Sequence, residues 1–345
     1  MATDPAIDIL DKRLLFVMGK GGVGRSTVAL AIGLLAARRG RRVIICEVAQ
    51  QKRMSRVFRR QGVGSEETEL VPGLSAISIE PQRAMEEYLR HQVGNRALFR
   101  LLFENRIFQY LAAAAPGVRE LVTMGKIWEL AQLERPWTAR STRYDLVVVD
   151  SPATGHGLGI LRVARTMREV ARVGPIRRQA DRIDRFVHDR RQTGIVAVSL
   201  PEEMPVTETL EFRERLAGEL DMEVDAVVVN GVHPERFSAD DARALAETQT
   251  RSAAEVGDGE PDSPAHAAIR AALAEHGRSR AQRSQVQRLR RGVGGGVTLP
   301  YLFAPELDLE AVEGLSRELE RRLSRAGRQS AAGTGRSGAA RTKQP

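Results

Sequence analysis

A glycine-rich segment near the amino terminus has the residue types and spacing of a phosphate-binding loop. The segment that begins at Gly19 reads GKGGVGRST, and the general pattern is G-x-x-x-x-G-K-[ST]. In that pattern, backbone N–H groups cradle phosphates, a lysine reaches the β- and γ-phosphates, and a hydroxyl holds Mg²⁺. Gly19, Gly24 and Ser26 occupy pattern positions, but Arg25 replaces the lysine, and a second lysine, Lys20, follows the first glycine. The loop predicts binding of ATP or ADP with Mg²⁺, and it leaves hydrolysis open.

The residues of this loop have distinct predicted roles. Its glycines let phosphates approach the backbone closely. Ser26 is predicted to ligate Mg²⁺ and Thr27 to contact the α-phosphate, while Lys20 and Arg25 are the candidate catalytic cations. The alternative is a glycine-rich turn that binds nothing. The predicted nucleotide-binding residues of the loop are Gly19, Gly21, Gly22, Val23, Gly24, Arg25, Ser26 and Thr27.

The elements on either side of the loop favour the phosphate site. Residues 14–18 form a short apolar run typical of a buried parallel strand. Residues 26–39 have an apolar helical face and stop at Gly40, and residues 43–47 predict a second buried strand. A strand, a glycine loop and a helix in this order turn the positive end of the helix toward an anion.

Two further polar residues follow runs of valine at predicted strand ends. Because ligands of open α/β sheets bind at the carboxyl ends of strands, we predict that Asp150 orients Mg²⁺-bound water. Pro152 and Gly155 make the following loop a candidate sensor of the γ-phosphate, whereas a helix N-cap is the alternative role of Asp150. Asn230 offers the donor and acceptor that suit an adenine edge, although Asn230-Gly231 is also an ordinary turn sequence.

Strand and helix patterns alternate along most of the chain, which predicts an α/β fold with a doubly wound, mainly parallel sheet. Only helical periodicity is present between the third and fourth predicted strands, and another helical stretch follows Asp150. These stretches, approximately 82–135 and 157–192, predict a helical subdomain inserted on one side of the sheet. The predicted strands cover residues 14–18, 43–47, 74–79, 144–150, 195–200, 225–230 and 297–303.

Length and charge suggest how the chain is divided. Its 345 residues, of which 42% are hydrophobic, suffice for one large α/β domain or two small ones. We predict an N-terminal extension at 1–12, a single P-loop domain at 13–324 and a disordered basic tail at 325–345. The net charge is +9, and the tail has five basic residues and no acid. A solvated, arginine-rich surface accounts for this charge more simply than nucleic acid or an anionic membrane.

Three features bear on the cellular compartment. The single cysteine, Cys46, lies in an apolar strand and is predicted to pack in the core, since a lone cysteine forms neither an internal disulfide nor a thiolate metal site. The first residues lack a basic region followed by an apolar one, so no signal peptide is expected. The longest apolar stretch, 28–37, is too short to span a membrane. We therefore expect a cytoplasmic protein, with transient membrane association left open.

The motifs together resemble those of the arsenite-pump and tail-anchored-protein-targeting ATPases, P-loop NTPases with a deviant phosphate loop. Lys20, directly after the first glycine, is the deviant feature. Residues 150–156, DSPATGH, are similar to the D-T-A-P-T-G-H of their switch II, and residues 115–120, APGVRE, resemble their P-G-x-x-E segment. Asn230 matches their adenine-contacting asparagine, and Pro300 lies in a segment similar to their loop that packs on the base.

This resemblance runs from about residue 14 to residue 323. It implies an ATP-hydrolysing dimer with the nucleotides near the subunit interface. It also implies that Lys20 reaches the phosphates bound by the partner, which is either a second copy or a related ATPase subunit.

The chain departs from the family pattern where catalysis is concerned. A gapless alignment after the second strand places Ala49 and Arg56 where the family has the two aspartates of switch I. Arginine is not interchangeable with lysine at a tight phosphate site, so Arg25 is also expected to slow hydrolysis. The zinc-binding C-x-x-C pair and the arsenite-binding cysteines are missing, which argues against arsenite handling and zinc-clasped dimers.

Three functions are compatible with these residues. The first is a client-handling ATPase with reduced turnover, in which the helical subdomain receives an apolar client segment. The second is a non-catalytic nucleotide-binding subunit of a heterodimer, favoured by Arg25 and Arg56. The third, which the long helical insertion disfavours, is a partition-type ATPase that binds DNA through Arg177, Arg178, Arg182 and Arg185. The candidate client-lining residues are Leu98, Leu101, Phe103, Phe108, Met124 and Trp128.

Overall fold

An eight-stranded sheet runs through the centre of the computed structural model, which describes residues 9–48, 54, 57–58, 63–92, 117–132, 144–170, 173–255, 263–304 and 306–337. Its strand order is β3-β4-β2-β5-β1-β6-β7-β8. The strands are β1 (Leu14–Gly19), β2 (Val43–Val48), β3 (Thr68–Val71), β4 (Leu74–Ile79), β5 (Leu146–Asp150), β6 (Thr193–Ser199), β7 (Ala226–Val232) and β8 (Val297–Pro300).

The pairing confirms the doubly wound, mainly parallel sheet. All neighbours pair in parallel except β3, which pairs antiparallel with β4 at one edge. The seven predicted strands are all present, with ends displaced by up to three residues. Strand β3 was missed because only two of its four residues, TELV, are apolar and only Leu70 is buried, so no buried run marks them.

Helices cover both faces of the sheet, and a short 3₁₀ turn, Ile9–Asp11, precedes β1. The helices are α1 (Arg25–Arg38), α2 (Pro81–Gln92), α3 (Val118–Ala131), α4 (Thr154–Val170), α5 (Pro175–His188), α6 (Glu203–Leu220), α7 (Ala239–Glu255), α8 (Pro264–Val293) and α9 (Leu309–Ser337).

Alternate residues of each strand divide the core between the two faces. In β1, Leu15 and Val17 pack with α1 and α9, whereas Leu14 and Phe16 pack with α3, α4, α5, α6 and α8. This division follows from the two-residue period of a strand, which sends successive side chains to opposite faces. Strands buried on both faces read as continuous apolar runs, and for this reason the sequence located them well.

The described helices of the predicted helical subdomain lie on one face of the sheet. Ile127 of α3, Leu161 of α4 and Ile183 of α5 belong to the same apolar core as the strands beneath them. These helices are therefore a layer of the main domain and share its core. Residues 93–116, 133–135 and 171–172 of the predicted subdomain lie outside the described residues.

Both predicted boundaries of the domain need correction. Ile9 and Leu10 are buried in the core, and the buried Lys12 forms an ion pair with the partly exposed Asp225 at 2.9 Å, so the fold begins before residue 13. At the other end, α9 continues to Ser337, whereas the sequence predicted disorder from residue 325. Alanine and arginine in this stretch are strong helix formers, which lets a helix anchored on the core extend beyond it.

Candidate nucleotide-binding site

The phosphate-binding loop joins the carboxyl end of β1 to the start of α1. Lys20, Gly21 and Gly22 are exposed, whereas Val23 packs in the core and Arg25 and Ser26 are buried. Helix α1 begins at Arg25, so the backbone N–H groups of its first turn lie beside the loop. The loop therefore exposes a glycine-rich backbone in front of a helix N-terminus, which is the arrangement that binds phosphate.

Two glycines of the loop occupy positions that exclude a side chain. A β-carbon on Gly19 would lie 2.4 Å from the Val198 carbonyl oxygen of β6. Gly24 has a φ of 88°, and a β-carbon there would lie 2.2 Å from Asn230 Nδ2. These close approaches explain why glycine occupies both pattern positions even before a ligand is considered.

The Ser26 hydroxyl and the Asp150 carboxylate, both predicted metal residues, lie in direct contact. Ser26 Oγ donates to Asp150 Oδ2 across 2.5 Å, and both side chains are buried. Strand β5 places Asp150 there because it pairs with β1, with Asp150 opposite Val17. The pair lies at the start of α1, where a cation between phosphates and protein oxygens would be bound.

Arg25 points toward the chain that follows β5. Its side chain is buried, and its Nη1 donates to the main-chain carbonyl of Ser151. The guanidinium therefore bridges the phosphate loop and the first residue after Asp150. Ser151 begins a three-residue connection to α4, so the last three residues of the predicted switch II segment, from Thr154 onward, lie in the first turn of a helix.

A second buried carboxylate, which the sequence analysis assigned only to a strand, lies beside Asp150. Glu47 is fully buried, and it is the register partner of Asp150 across the β2–β5 pair. Its Oε1 accepts a hydrogen bond from the Met54 backbone N–H at 3.1 Å. A single acid in an otherwise apolar six-residue strand was the sequence signal that could have identified it.

Lys20 is the exposed cation of the loop. Its Nζ forms an ion pair with Glu208 Oε1 of α6 at 2.5 Å, and the two side chains are 44% and 31% exposed. Lys20 is therefore directed away from the buried pair of Ser26 and Asp150 and toward solvent. A surface ion pair of this kind is weak, so the lysine remains available for another partner.

The predicted base-binding residues, Asn230 and Pro300, lie on adjacent strands at the same sheet edge. Pro300 is opposite Val232 in the β7–β8 register, and the exposed Tyr301 follows it. Asn230 Nδ2 donates to the Val23 carbonyl at 3.1 Å. The side chain of Asn230 thus supports the phosphate loop in this structure, and its contact with adenine stays a prediction.

Aromatic side chains border this edge of the site. His233 lies 4.5 Å from Tyr301 and 5.6 Å from Phe303, measured between ring centroids. His233 Nδ1 also donates to Glu275 Oε1 at 2.9 Å, and this hydrogen bond holds the pKa of Glu275 below its ordinary value. The bond ties the end of β7 to α8, which keeps the aromatic edge in place.

Two other surfaces were predicted to bind partners: an apolar client site and an arginine-rich surface for DNA. Met124 is fully buried in the core, which corrects its assignment as a client-lining residue, and Trp128 is partly buried against that core. The other four candidate client-lining residues lie outside the described part of the chain. On the arginine-rich helix α5, Asp181 and Asp184 form ion pairs with Arg177 and Arg168, so the positive charge of this surface is partly neutralised.

A comparison with protein families agrees with this geometry. The family model described as "Anion-transporting ATPase" matches residues 12–183 and 169–259, which together include the phosphate loop, Glu47, Asp150 and Asn230. The chain belongs to the anion-transporting ATPase family. Membership confirms the resemblance in the motifs and agrees with the α/β sheet described above.

Individual family members differ in how much of their length is similar to this chain. ATPase BagA of Mycobacterium tuberculosis is 31% identical over 245 residues, which cover 68% of this chain and 69% of the relative. An arsenical pump-driving ATPase of Acidiphilium multivorum is 26% identical over 249 residues, covering 67% of this chain and 41% of the relative. An ATPase ASNA1 homolog of Entamoeba dispar is 25% identical over 258 residues, covering 64% and 76%.

These relatives share the name ATPase, which fits the phosphate loop and its buried serine–aspartate pair. Among the helices that the structure describes, none combines the length and apolar character needed to cross a membrane.

Proposed function

We propose that this family member binds Mg²⁺ and ATP at the phosphate loop and hydrolyses ATP slowly, as one subunit of a dimer in the cytoplasm. The observation that carries the proposal is the buried contact between Arg25 and Ser151 beside the Ser26–Asp150 pair. The Ser26–Asp150 pair offers oxygen atoms for Mg²⁺. Arg25 replaces the lysine of the pattern, a residue whose exact placement matters for catalysis.

The residues at the start of α1 fit a magnesium ion. Mg²⁺ takes oxygen ligands and is held by one or two carboxylates, hydroxyls and substrate phosphates. Ser26 and Asp150 offer such oxygens within 2.5 Å of each other, in a buried position beside a helix N-terminus. Bound there, the ion would neutralise phosphate charge and orient the phosphates. Ser26 would hold the ion, and Asp150 would orient its water.

Arg25 is the reason to expect slow turnover. Lysine is a compact charge on a flexible stem, whereas the guanidinium is a planar fork that is bulkier and fixed by its hydrogen bonds. In this protein that fork is held by the Ser151 carbonyl. If the guanidinium moved to the phosphates, its buried hydrogen bond to Ser151 would break. If it stayed on Ser151, the γ-phosphate would lack the cation that the pattern lysine provides. Either arrangement favours binding over hydrolysis.

Lys20 supports the dimeric part of the proposal. It is exposed, and its tie to Glu208 is a surface ion pair. Lys20 would have to leave Glu208 to reach the nucleotide site of its own subunit. We propose that it acts on the nucleotide of a partner, which is a second copy or a related subunit with lysine at the position of Arg25.

A second candidate function is a nucleotide-binding subunit without turnover. The same Arg25–Ser151 contact favours it, since a guanidinium that stays on Ser151 would allow ATP to bind without completing the catalytic site. The two candidates differ only in whether the purified chain, alone or with its partner, releases phosphate.

The test compares ATP turnover and ATP affinity of wild type and Arg25→Lys at equal nucleotide saturation. We expect both to bind Mg²⁺-ATP and the variant to turn over roughly tenfold to a hundredfold faster. The matched control is Arg38→Lys at the other end of α1, where the arginine contacts Ser316 and Glu320 far from the loop. Equal turnover of wild type and Arg25→Lys would refute the slow-hydrolysis proposal, and absence of nucleotide binding would refute the site itself.

A further inference from the structure

Glu47 is a fully buried acid near the carboxyl end of β2. Its side chain has no exposed surface, and a buried carboxylate is costly unless charge or hydrogen bonds compensate it. The hydrogen bond from the Met54 N–H would be made equally well by an uncharged glutamine. That hydrogen bond alone therefore does not require a charged residue at this position.

The alternation of β2 directs Glu47 toward the phosphate loop. Val43 and Ile45 pack in the core shared with α1, and Glu47 follows them at the same two-residue spacing. In β5, Leu146 and Val148 pack on that same face, and Asp150 follows them. Two buried acids thus stand on one face of the sheet, at the end where α1 begins.

The backbones of these two acids are direct neighbours across the sheet. Glu47 and Asp150 are register partners, and neighbouring strands lie about 4.8 Å apart. Two carboxylates on neighbouring strands favour positive charge near them, and the buried Arg25 lies at this end of the sheet. The hydroxyl that contacts Asp150 belongs to Ser26, so both acids border the proposed magnesium position.

We propose that Glu47 is a positioning residue of the Mg²⁺-ATP site, whose carboxylate accepts hydrogen bonds from water bound to the metal, beside Asp150. This inference rests on the proposed function, because it requires that Mg²⁺ bind with the nucleotide. Outer-shell acids of this kind set the orientation of metal-bound water and strengthen metal binding. Glu47 would also link that water to the chain after β2 through the Met54 N–H.

The test separates the charge of Glu47 from its hydrogen bond. Affinity for a fluorescent ATP analogue is measured on the full chain with Mg²⁺ and with EDTA, for wild type, Glu47→Gln and Glu47→Asp. Glutamine keeps the acceptor for Met54 N–H and loses the charge, whereas aspartate keeps the charge on a shorter stem. We expect Glu47→Gln to lose about tenfold or more of the affinity gained with Mg²⁺, while its affinity in EDTA stays within about twofold of wild type.

Two further variants separate the charge of Glu47 from the stability of the fold. Glu47→Asp should keep most of the gain with Mg²⁺. Asp225→Asn is the matched control, because Asp225 also accepts a backbone N–H but pairs with Lys12 at the amino ends of the strands, away from the phosphate loop. It should lower the melting temperature and leave the gain with Mg²⁺ unchanged.

A full gain in Glu47→Gln, an equal loss with and without Mg²⁺, or failure of this variant to fold would each overturn the inference. An equal loss in Glu47→Asp and Glu47→Gln would do the same. If wild type itself showed no gain with Mg²⁺, the proposed function would fail instead.

Discussion

Gly24 and Asn230 approach each other so closely that a β-carbon on the glycine would lie 2.2 Å from the asparagine Nδ2. The same amide donates to the carbonyl of Val23, the residue before Gly24, at 3.1 Å. Asn230 directly follows the buried part of β7, so this contact fastens the phosphate loop to a strand two places away from β1. The shape of the loop thus depends on a residue that the sequence linked only to adenine.

We expect Gly24→Ala to destabilise the fold by about 1–3 kcal/mol, because the new side chain would strain a φ of 88° and collide with Asn230. Gly21→Ala is the matched control, since a β-carbon there meets nothing within 4 Å. Urea unfolding measures both. Adding Asn230→Ala to Gly24→Ala should recover part of the loss, and no recovery would show that backbone strain alone is responsible.

Ser26→Ala should remove most of the Mg²⁺-dependent part of the ATP affinity, about tenfold or more, because it deletes the hydroxyl beside Asp150. Titration of a fluorescent ATP analogue with and without Mg²⁺ measures the effect. Ser26→Thr keeps a hydroxyl and serves as the control. An unchanged Mg²⁺ dependence of the ATP affinity in Ser26→Ala would contradict the role of this residue as a metal ligand.

Lys20 and Ser26 should complement each other between subunits if Lys20 acts on the nucleotide of its partner. We expect Lys20→Ala and Ser26→Ala to lose ATP turnover separately, and a mixture of the two to regain part of it. Recovery follows because one site of a mixed dimer has both an intact Ser26 and an intact partner Lys20. No recovery in a mixture that forms dimers would place the action of Lys20 within its own subunit.

Glu208→Gln is the control for this experiment. Its ion pair with Lys20 is exposed, so the free energy of unfolding should change by less than about 0.5 kcal/mol. Turnover should also be retained, because the glutamate only holds the lysine on the surface. A large loss of turnover would assign Glu208 a role in the site.

Lys126 should stabilise the protein in a pH-dependent way. Burial alone would lower the pKa of this lysine, but the charge of Glu129 and the hydrogen bond and charge of Glu87 raise it above its ordinary value of 10.5. A pKa raised by folding means that the stabilisation is complete below about pH 10.5 and is lost as the pH rises through the folded-state value.

Lys126→Met should therefore cost about 1–3 kcal/mol at neutral pH, since it leaves two carboxylates without their common cation. Denaturant unfolding of both proteins from pH 7 to 11 measures the difference, which should stay constant to pH 9 and shrink above 10.5. Glu87→Gln, which alters the more exposed partner, should cost less. A difference that grew with pH would contradict the sign of the pKa shift.

Local patterns were sufficient for much of the fold. The apolar runs of β1, β2 and β5 are buried on both faces, so they were visible without any knowledge of their neighbours. The phosphate loop was equally visible, because its glycines and serine are contiguous in the chain. Strand β3 was not, since it is short and half exposed and pairs only at the sheet edge.

Ends of the domain were less predictable for a related reason. The residues before β1 look like a polar extension, yet Lys12 is buried because Asp225 and the Arg190 carbonyl receive its ammonium. The sequence near residue 12 does not predict that Lys12 binds residues about two hundred positions away. Buried charge is decided by distant compensation, and composition does not reveal it.

The sequence by itself determined the identity of the phosphate loop, the parallel sheet and the family, because these depend on contiguous motifs and on the period of apolar residues. The tertiary structure decided where the charged residues of the site lie relative to one another. The strand order β2-β5-β1 places Glu47 beside Asp150 and brings Ser26 and Arg25 to the residues at the end of β5. Strand order and register arise from long-range pairing, so a chemical role that depends on them becomes visible only when the strands are assembled.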